Sequence, residues 1–309
     1  MNIIIFGAGG FIGTNLVIRL AENQNNHLLL VDKDINKIKK IIGEKKNVVY
    51  YSDVFSEKTD FDNLLNKQDV VYHLVSTNAP STSNIQIADE IQTNVISTIN
   101  MLESCVKNKV KRVIFLSSGG TVYGKDGTCP LDEEAETNPI SSYGIQKLTI
   151  EKILYLYNHL YGLDYRIIRL ANPYGPHQNP NGMLGAVTTF TYKALNNEPI
   201  YIYGDGKIIR DYIYIDDAIE GIVRISNGDS RWKVFNLGTG KGVSLIEVLK
   251  TIEKALNIKM NILFKSKRNA DVPINFLNID RYIKEYGEYD FLPLLKGVKK
   301  TAKFLKENY

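Results

Sequence analysis

A tyrosine and a lysine that together could move a proton, Tyr143 and Lys147, stand four residues apart at the predicted start of a helix. Two residues at this spacing share one face of a helix. An ammonium group beside a phenol favours the phenolate and lowers the phenol pKa from its reference value of about 10. A phenol tuned in this way can act as acid and base while a substrate hydroxyl becomes a carbonyl and back.

Hydroxyl side chains come before this pair in the chain. Residues 112–116 have the pattern of a buried strand, and the residues after them, up to Gly124, are interpreted as its frayed end. Ser117 and Ser118 close the strand, and Thr121 follows two glycines later. Because ligands of a parallel sheet bind beyond the carboxyl ends of its strands, these hydroxyls are expected at the site.

The glycines at positions 7, 10 and 13 follow the first apolar run of the chain. Residues 2–6 are apolar and β-branched, which is typical of a strand buried on both faces of a parallel sheet, and residues 14–20 predict a helix. Glycines between such elements allow a tight turn and close approach of the backbone to a pyrophosphate, although Ile at position 12 departs from the standard G-x-G-x-x-G register. The predicted cofactor contacts of this turn are Gly7, Gly10, Phe11, Ile12 and Gly13.

Acidic residues end the second and third predicted strands. Asp32 follows the apolar run 28–31 and lies about twenty residues beyond the glycines, where a carboxylate receives the adenosine ribose hydroxyls and repels a 2′-phosphate. Its position therefore favours NAD over NADP. Asp53 and Val54 follow the run 48–51 and are predicted to meet the adenine end of the cofactor.

Strand and helix patterns alternate through the first half of the chain. A fourth strand ends at Leu74, and a long amphipathic helix, roughly 87–108, carries Asn94 before the fifth strand begins. This alternation predicts a doubly wound parallel sheet. We expect Leu74, Asn94 and Ser117 to contact the cofactor.

Composition excludes several other classes of protein. The chain has 309 residues, 44 % of them hydrophobic and 23 % charged, and a net charge of +4, which is ordinary for a soluble globular protein and too small to predict nucleic-acid binding. The two cysteines and four histidines show no disulfide or metal-ligand spacing. No apolar run approaches the roughly 18 residues of a membrane span, and the first strand leaves no room for a signal peptide. We therefore expect a cytoplasmic protein without a metal ion.

Taken in order, the motifs resemble those of an extended short-chain dehydrogenase/reductase of the NAD-dependent sugar epimerase/dehydratase group, closest to its UDP-glucose 4-epimerase branch. The matching motifs are Gly7-x-x-Gly10-x-x-Gly13, Asp32, Asp53, Asn94, Thr121-Val122-Tyr123-Gly124, Tyr143 with Lys147, Asn172-Pro173-Tyr174-Gly175, Arg210-Asp211-Tyr212-Ile213, Asn236-Leu237-Gly238-Thr239-Gly240 and Arg268-x-x-Asp271. The resemblance implies an α/β fold, a Rossmann-like doubly wound parallel sheet with a smaller C-terminal substrate-binding domain. The implied NAD-binding domain is 1–170 with about 213–240, and the implied substrate domain is 171–212 with 241–309.

The resemblance also assigns roles to individual residues. Tyr143 is the implied acid and base at the sugar hydroxyl, and Lys147 binds the nicotinamide ribose and lowers the pKa of Tyr143. The hydroxyl that the family carries after the fifth strand falls on Gly119 here, so Ser118 and Thr121 are the nearest substitutes. The implied substrate contacts, including two arginines that would clamp a diphosphate, are Asn172, Arg210, Arg268, Asp271 and Asn275.

Together these expectations describe a nucleotide-sugar 4-epimerase that works through a transient 4-keto sugar with tightly bound NAD. The resemblance implies that a bulky tyrosine at the position of Asn275 would exclude N-acetyl sugars, so UDP-glucose and UDP-N-acetylglucosamine both stay open and uronic acids are not excluded. The resemblance further implies a homodimer built on the helices near 87–108 and 143–160. Two alternatives are an NAD(P)H-dependent 4-keto-sugar reductase and, because Gly119 has no hydroxyl, a catalytically silent NAD-binding protein.

Overall fold

The computed structural model describes residues 1–77, 84–182, 185–266 and 272–309. The strands are β1 (Asn2–Phe6), β2 (His27–Asp32), β3 (Val48–Ser52), β4 (Val70–His73), β5 (Arg112–Ser118), β6 (Asp164–Leu170), β7 (Asn172–Tyr174), β8 (Ile200–Tyr203), β9 (Ile209–Tyr214), β10 (Val234–Leu237), β11 (Gly242–Ser244), β12 (Ile262–Lys265) and β13 (Ile274–Asn275). The α-helices are α1 (Phe11–Leu20), α2 (Ile35–Ile42), α3 (Phe61–Leu65), α4 (Ile87–Ile91), α5 (Ser97–Lys107), α6 (Ser142–Tyr161), α7 (Ala186–Leu195), α8 (Ile215–Asn227), α9 (Leu245–Leu256), α10 (Asp280–Tyr286) and α11 (Leu294–Asn308).

One large sheet contains seven strands in the order β10-β6-β5-β4-β1-β2-β3. The strand pairs β1–β2, β1–β4, β2–β3 and β4–β5 are all parallel. Ile3, Ile4 and Ile5 of β1 are fully buried, because a central parallel strand is covered on both faces. The predicted doubly wound parallel sheet is confirmed.

Strands β2 and β4 lie on either side of β1, so the strand order reverses at β1. In sheets of this kind ligands bind in the crevice outside the carboxyl ends of the strands at such a reversal. Gly7 and Leu74 leave β1 and β4 at this point, and a Cβ atom on Gly7 would lie 3.2 Å from the carbonyl carbon of Leu74. The fold therefore places the glycine turn at the expected ligand-binding edge.

The long helix predicted at about 87–108 is interrupted. Helix α4 passes into a π-helical segment, Gln92–Ile96, before α5 begins. Asn94 lies within this segment and is buried. Single π-helical turns inside α-helices are frequent at functional sites, and hydrophobic periodicity does not reveal them.

A smaller sheet forms around β9. Strand β11 pairs with it antiparallel, and β13 and β7 pair with it parallel. Strands β8 and β12 form a separate parallel pair. Helix α9 begins with a capping box between Ser244 and Glu247.

The chain divides into two compact units. The first contains Met1–Ser117, Ser141–Ile168 and Ser226–Val234, and the second contains Ser118–Ile140, Arg169–Ile225 and Phe235–Tyr309. The two are of comparable length, whereas a smaller second domain was expected.

The unit bounds also differ from the expected domain bounds. Residues 118–140 lie in the second unit, where Leu131 forms a β-bridge with Leu277. Most of α8 lies there too, and Gly221 of this helix packs against the Leu237 side chain. Among the helices of the described ranges, none combines the length and the apolar character that a membrane span requires.

Candidate active site

The glycine turn of the first unit is shaped for close approach to its backbone. Gly7 has a φ of 84°, and the Gly10 N–H donates a hydrogen bond to Gly7 O at 3.2 Å. A Cβ atom on Gly13 would lie 2.1 Å from Gly7 O, so only glycine allows α1 to pack onto the turn. Gly10 is the N-cap of α1, and no side chain caps the helix. The N–H groups of the first turn, which includes Phe11 and Ile12, therefore suit an anion such as a pyrophosphate.

The structure brings Asp32 and Asp53 together at the ends of β2 and β3. The Asp53 N–H donates to Asp32 O at 3.2 Å, and the Val54 N–H donates to the Asp53 carboxylate at 2.8 Å. Asp32 also accepts a hydrogen bond from the Gly9 N–H at 2.9 Å. The Asp32 carboxylate thus holds the glycine turn in place, a role that the sequence did not reveal.

Asn94 has both ends of its side-chain amide occupied by protein groups. Its Nδ2 donates to Gln146 Oε1 at 2.8 Å, and its Oδ1 accepts from the Thr77 N–H at 3.1 Å. Gln146 Nε2 in turn donates to the Glu90 carboxylate of α4 and to Ser142 Oγ at the start of α6. The Asn94 side chain, which we expected to contact the cofactor, therefore ties the π-helical segment to the helix that carries Tyr143.

Tyr143 and Lys147 share a face of α6, as their spacing predicts. The buried Lys147 Nζ donates to Leu116 O at 2.8 Å and lies 4.7 Å from the ring centroid of Phe115 and 5.7 Å from that of Tyr143. Burial lowers the pKa of Lys147 to about 8, and the nearby Glu151 carboxylate partly opposes that shift. The ammonium is therefore held beside the phenol and is still mostly charged at neutral pH.

Glu151 is a buried acid that sequence reasoning missed. It follows Lys147 by one helical turn and is 3 % exposed. Ser117 Oγ donates to Glu151 Oε1 at 2.5 Å, so this hydroxyl, expected at the cofactor, is engaged inside the first unit. The signal was present in the sequence, because positions 143, 147 and 151 share one helix face.

His73 ends β4 and Leu74 follows it, and neither residue offers an acid or a base. The His73 ring stacks on Phe55 with centroids 4.9 Å apart, and its Nε2 lies 2.8 Å from Thr98 Oγ1. Burial lowers the pKa of His73 to about 3, so the ring stays neutral. Leu74 contributes its backbone, with its N–H donating to Phe6 O at 3.1 Å. Across the described ranges no group of His, Cys, Asp or Glu could hold a metal ion.

The turn that follows β5 explains the glycine at position 119. A Cβ atom there would lie 2.7 Å from the Leu277 side chain and 3.1 Å from Arg169 O. Ser118 is partly exposed, whereas Thr121 Oγ1 is buried and has no hydrogen-bond partner among the described residues. Of the two residues expected to substitute at Gly119, Ser118 remains the candidate, because the Thr121 hydroxyl is buried.

Three expected substrate contacts lie on one face of the small sheet in the second unit. Asn275 is the register partner of Arg210, and Asn172 that of Tyr212, two residues further along β9. Register partners and alternate residues share a face of a sheet, so Asn172, Arg210 and Asn275 lie on the same side. Arg268 and Asp271 lie outside the described residues.

Comparison with known proteins identifies relatives of this chain in both sequence and structure. The chain is 30 % identical to a UDP-glucose 4-epimerase of Mycolicibacterium smegmatis, over 99 % of both chains. It superimposes with a TM-score of 0.92 on UDP-glucose 4-epimerase of Thermotoga maritima, solved with UDP-glucose, at 30 % identity and over 99 % of both chains. It also superimposes with a TM-score of 0.93 on UDP-N-acetylglucosamine 4-epimerase of Methanobrevibacter ruminantium, solved with UDP-N-acetylmuramic acid, at 25 % identity and over 100 % of this chain and 99 % of that one.

The model of the NAD dependent epimerase/dehydratase family matches residues 3–238. This span contains the glycine turn, the Asp32–Asp53 pair and the Tyr143–Lys147 face. The close approach at Gly13 and the uncapped start of α1 fit the pyrophosphate of NAD, which is the cofactor. The chain belongs to the NAD dependent epimerase/dehydratase family.

Proposed function

We propose that this protein is a nucleotide-sugar 4-epimerase that acts on UDP-glucose or UDP-N-acetylglucosamine through a transient 4-keto sugar. The observation that carries the proposal is the buried Lys147 ammonium, which Leu116 O holds 5.7 Å from the Tyr143 ring centroid. This arrangement favours the phenolate, the form needed to accept a proton from a sugar hydroxyl. The UDP-sugar epimerases among the relatives support the same reaction class.

The residues that would hold the cofactor are those of the first unit. The glycine turn and the start of α1 suit the pyrophosphate, and Asp32 and Asp53 suit the adenosine end. When bound, NAD supplies reversible hydride transfer at carbon 4 of the sugar, and it stays bound because each cycle regenerates it.

In the proposed reaction Tyr143 takes the proton of the sugar 4-hydroxyl and later returns a proton to the 4-oxygen. Lys147 stabilises the phenolate while the proton is on the substrate side. Ser118 is the hydroxyl that we assign to the sugar 4-oxygen, because Thr121 Oγ1 is buried. On the small sheet, Arg210 would bind the diphosphate, with Asn172 and Asn275 beside the sugar.

The test is NMR of each UDP-sugar with purified protein and no more than catalytic NAD. We expect the galacto epimer to form without net NADH. Tyr143→Phe should abolish turnover while NAD binding persists, and Tyr161→Phe, an exposed tyrosine of the same helix, is the matched control. If the protein converts only 4-keto sugars and consumes NAD(P)H, it is a reductase. If it converts neither UDP-sugars nor 4-keto sugars, it is a catalytically silent NAD-binding protein.

The proposed oligomer is a homodimer, supported by apolar side chains on α6. Ile145, Leu156 and Leu160 are 51 %, 47 % and 55 % exposed, and their spacing places them in one stripe of the helix, which also holds Thr149 and Lys152. Apolar stripes of this kind are typical of surfaces between copies of a chain, and a two-fold axis would pair the stripe with itself.

A further inference from the structure

The turn after β5 is held from two directions within the second unit. The Gly119 N–H donates to Leu170 O at 2.9 Å, and Asn275 Nδ2 donates to Gly119 O at 3.2 Å. Both backbone groups of Gly119 are therefore hydrogen-bonded. Ser118, whose hydroxyl we assign to the substrate, is joined to Gly119 by the next peptide bond.

Asn275 is well placed to act as a fixed support for this turn. Its side chain is 2 % exposed, and β13 is anchored because the Ile209 N–H donates to Pro273 O at 2.9 Å. Two residues later, Leu277 fills the space that a side chain at position 119 would need. The bridge between Leu131 and Leu277 fixes that segment as well.

Asn275 also belongs to the face of the small sheet that carries Arg210, its register partner on β9. Asn275 thus lies beside Arg210, the residue expected to bind the diphosphate, and its side chain is also hydrogen-bonded to Gly119, the residue after Ser118. A residue whose only role is to limit the space for a sugar needs no hydrogen bond to that turn.

We propose that Asn275 is a positioning residue, whose hydrogen bond to Gly119 O fixes the turn that carries Ser118 and so places the Ser118 hydroxyl at the sugar. The inference rests on the proposed epimerase function and deepens it. It predicts that the donor group of residue 275, and not its size alone, determines the turnover number. A change to tyrosine would alter both properties at once, so it cannot separate them.

The test compares Asn275→Leu, which keeps the approximate volume but removes the donor, with Asn275→Gln, which keeps the donor and adds one methylene group. For Asn275→Leu we expect kcat to fall by about tenfold or more with each accepted sugar, because small displacements of a reacting group are costly, and KM to change little. For Asn275→Gln we expect kcat near the wild-type value and a larger KM for the bulkier sugar. Circular dichroism and thermal melts identify any variant that fails to fold.

Amide hydrogen exchange of the peptide 117–124 reads the same turn without substrate. The amides of this peptide should exchange faster in Asn275→Leu than in wild type and remain slow in Asn275→Gln. The exchange of a peptide from α11 should be unchanged in both variants. Wild-type exchange in Asn275→Leu, or equal loss of kcat in both variants, would overturn the inference. If the wild-type protein epimerises no sugar, the proposed function fails, and the exchange experiment still decides whether Asn275 fixes the turn after β5.

Discussion

Ser117 Oγ donates a hydrogen bond to Glu151 Oε1 at 2.5 Å, within the first unit. The donor follows Leu116 in strand β5, and the Leu116 carbonyl accepts a hydrogen bond from the Lys147 ammonium. The acceptor lies one turn beyond Lys147 on the same helix face. Strand β5 and helix α6 are therefore joined by two buried polar contacts, one and two turns beyond Tyr143 on the helix, and the Glu151 carboxylate acts on the Lys147 ammonium.

Replacement of Glu151 by glutamine should shift the alkaline limb of activity. The carboxylate of Glu151 raises the pKa of Lys147 against the larger effect of burial, so its removal lowers that pKa below about 8. Since Tyr143 needs a charged Lys147, the fall of kcat/KM at high pH should begin at lower pH in Glu151→Gln than in wild type. His73 is neutral in this range and adds no opposing charge. The pH profile of kcat/KM is the measurement.

Ser117→Ala is the matched control for this change, because it removes the hydrogen bond but keeps the charge of Glu151. Its alkaline limb should stay near that of wild type. A limb that moves equally in both variants would mean that packing, and not charge, sets the pKa of Lys147.

Loss of the buried ammonium should stabilise the fold while it destroys activity. Burial lowers the pKa of Lys147 from 10.5 to about 8, so the unfolded chain binds this proton more tightly than the folded one. Below pH 8 this difference in proton binding lowers the free energy of unfolding by roughly 3 kcal/mol. The cost shrinks as the pH rises from 8 to 10.5. Lys147→Met should therefore be more stable than wild type at pH 7, by up to about 3 kcal/mol, and inactive.

The measurement is urea unfolding of both proteins at pH 7 and at pH 10. The stability advantage of Lys147→Met should be smaller at pH 10. An advantage that does not change with pH would indicate better packing of methionine and contradict the electrostatic account.

Two adjacent glycines provide a matched pair for the turn after β5. Neither Gly119 nor Gly120 has a positive φ, so alanine is compatible with both backbones. A Cβ atom at position 119 would lie 2.7 Å from Leu277, whereas at position 120 its nearest neighbour is Ser118 Oγ at 3.9 Å. Gly119→Ala should therefore cost about 1–3 kcal/mol through overpacking, and Gly120→Ala about 0.5 kcal/mol or less.

Equilibrium unfolding measures both changes. Adding Leu277→Val to Gly119→Ala should recover part of the loss, since it shortens the side chain in contact. Equal effects of the two alanine variants would show that Leu277 does not determine the residue at position 119.

Local patterns predicted those parts of the molecule that depend on neighbouring residues in the chain. The run of residues 2–6, the glycines after it and the Tyr143–Lys147 spacing each specify a strand, a turn or a helix face without distant help. The sheet and the shared face of α6 followed from these patterns.

Contacts between distant residues were not predicted. Asn94 meets Gln146 across 52 positions, and Asn275 meets Gly119 across 156. Nothing near either residue in the sequence signals its partner. The absent hydroxyl at Gly119 was visible in the sequence, but its cause, the side chain of Leu277, was not.

The proposed homodimer can be tested at the apolar stripe of α6. Leu156→Glu places a negative charge one turn from Leu160 on this stripe, where an isologous interface would bring two such charges together. We expect sedimentation velocity to show a dimer for wild type and a monomer for Leu156→Glu. Phe264→Glu is the control, because Phe264 is 59 % exposed on β12 in the other unit, and this variant should remain a dimer. A wild-type monomer, or a Leu156→Glu variant that stays dimeric, would exclude α6 as the interface.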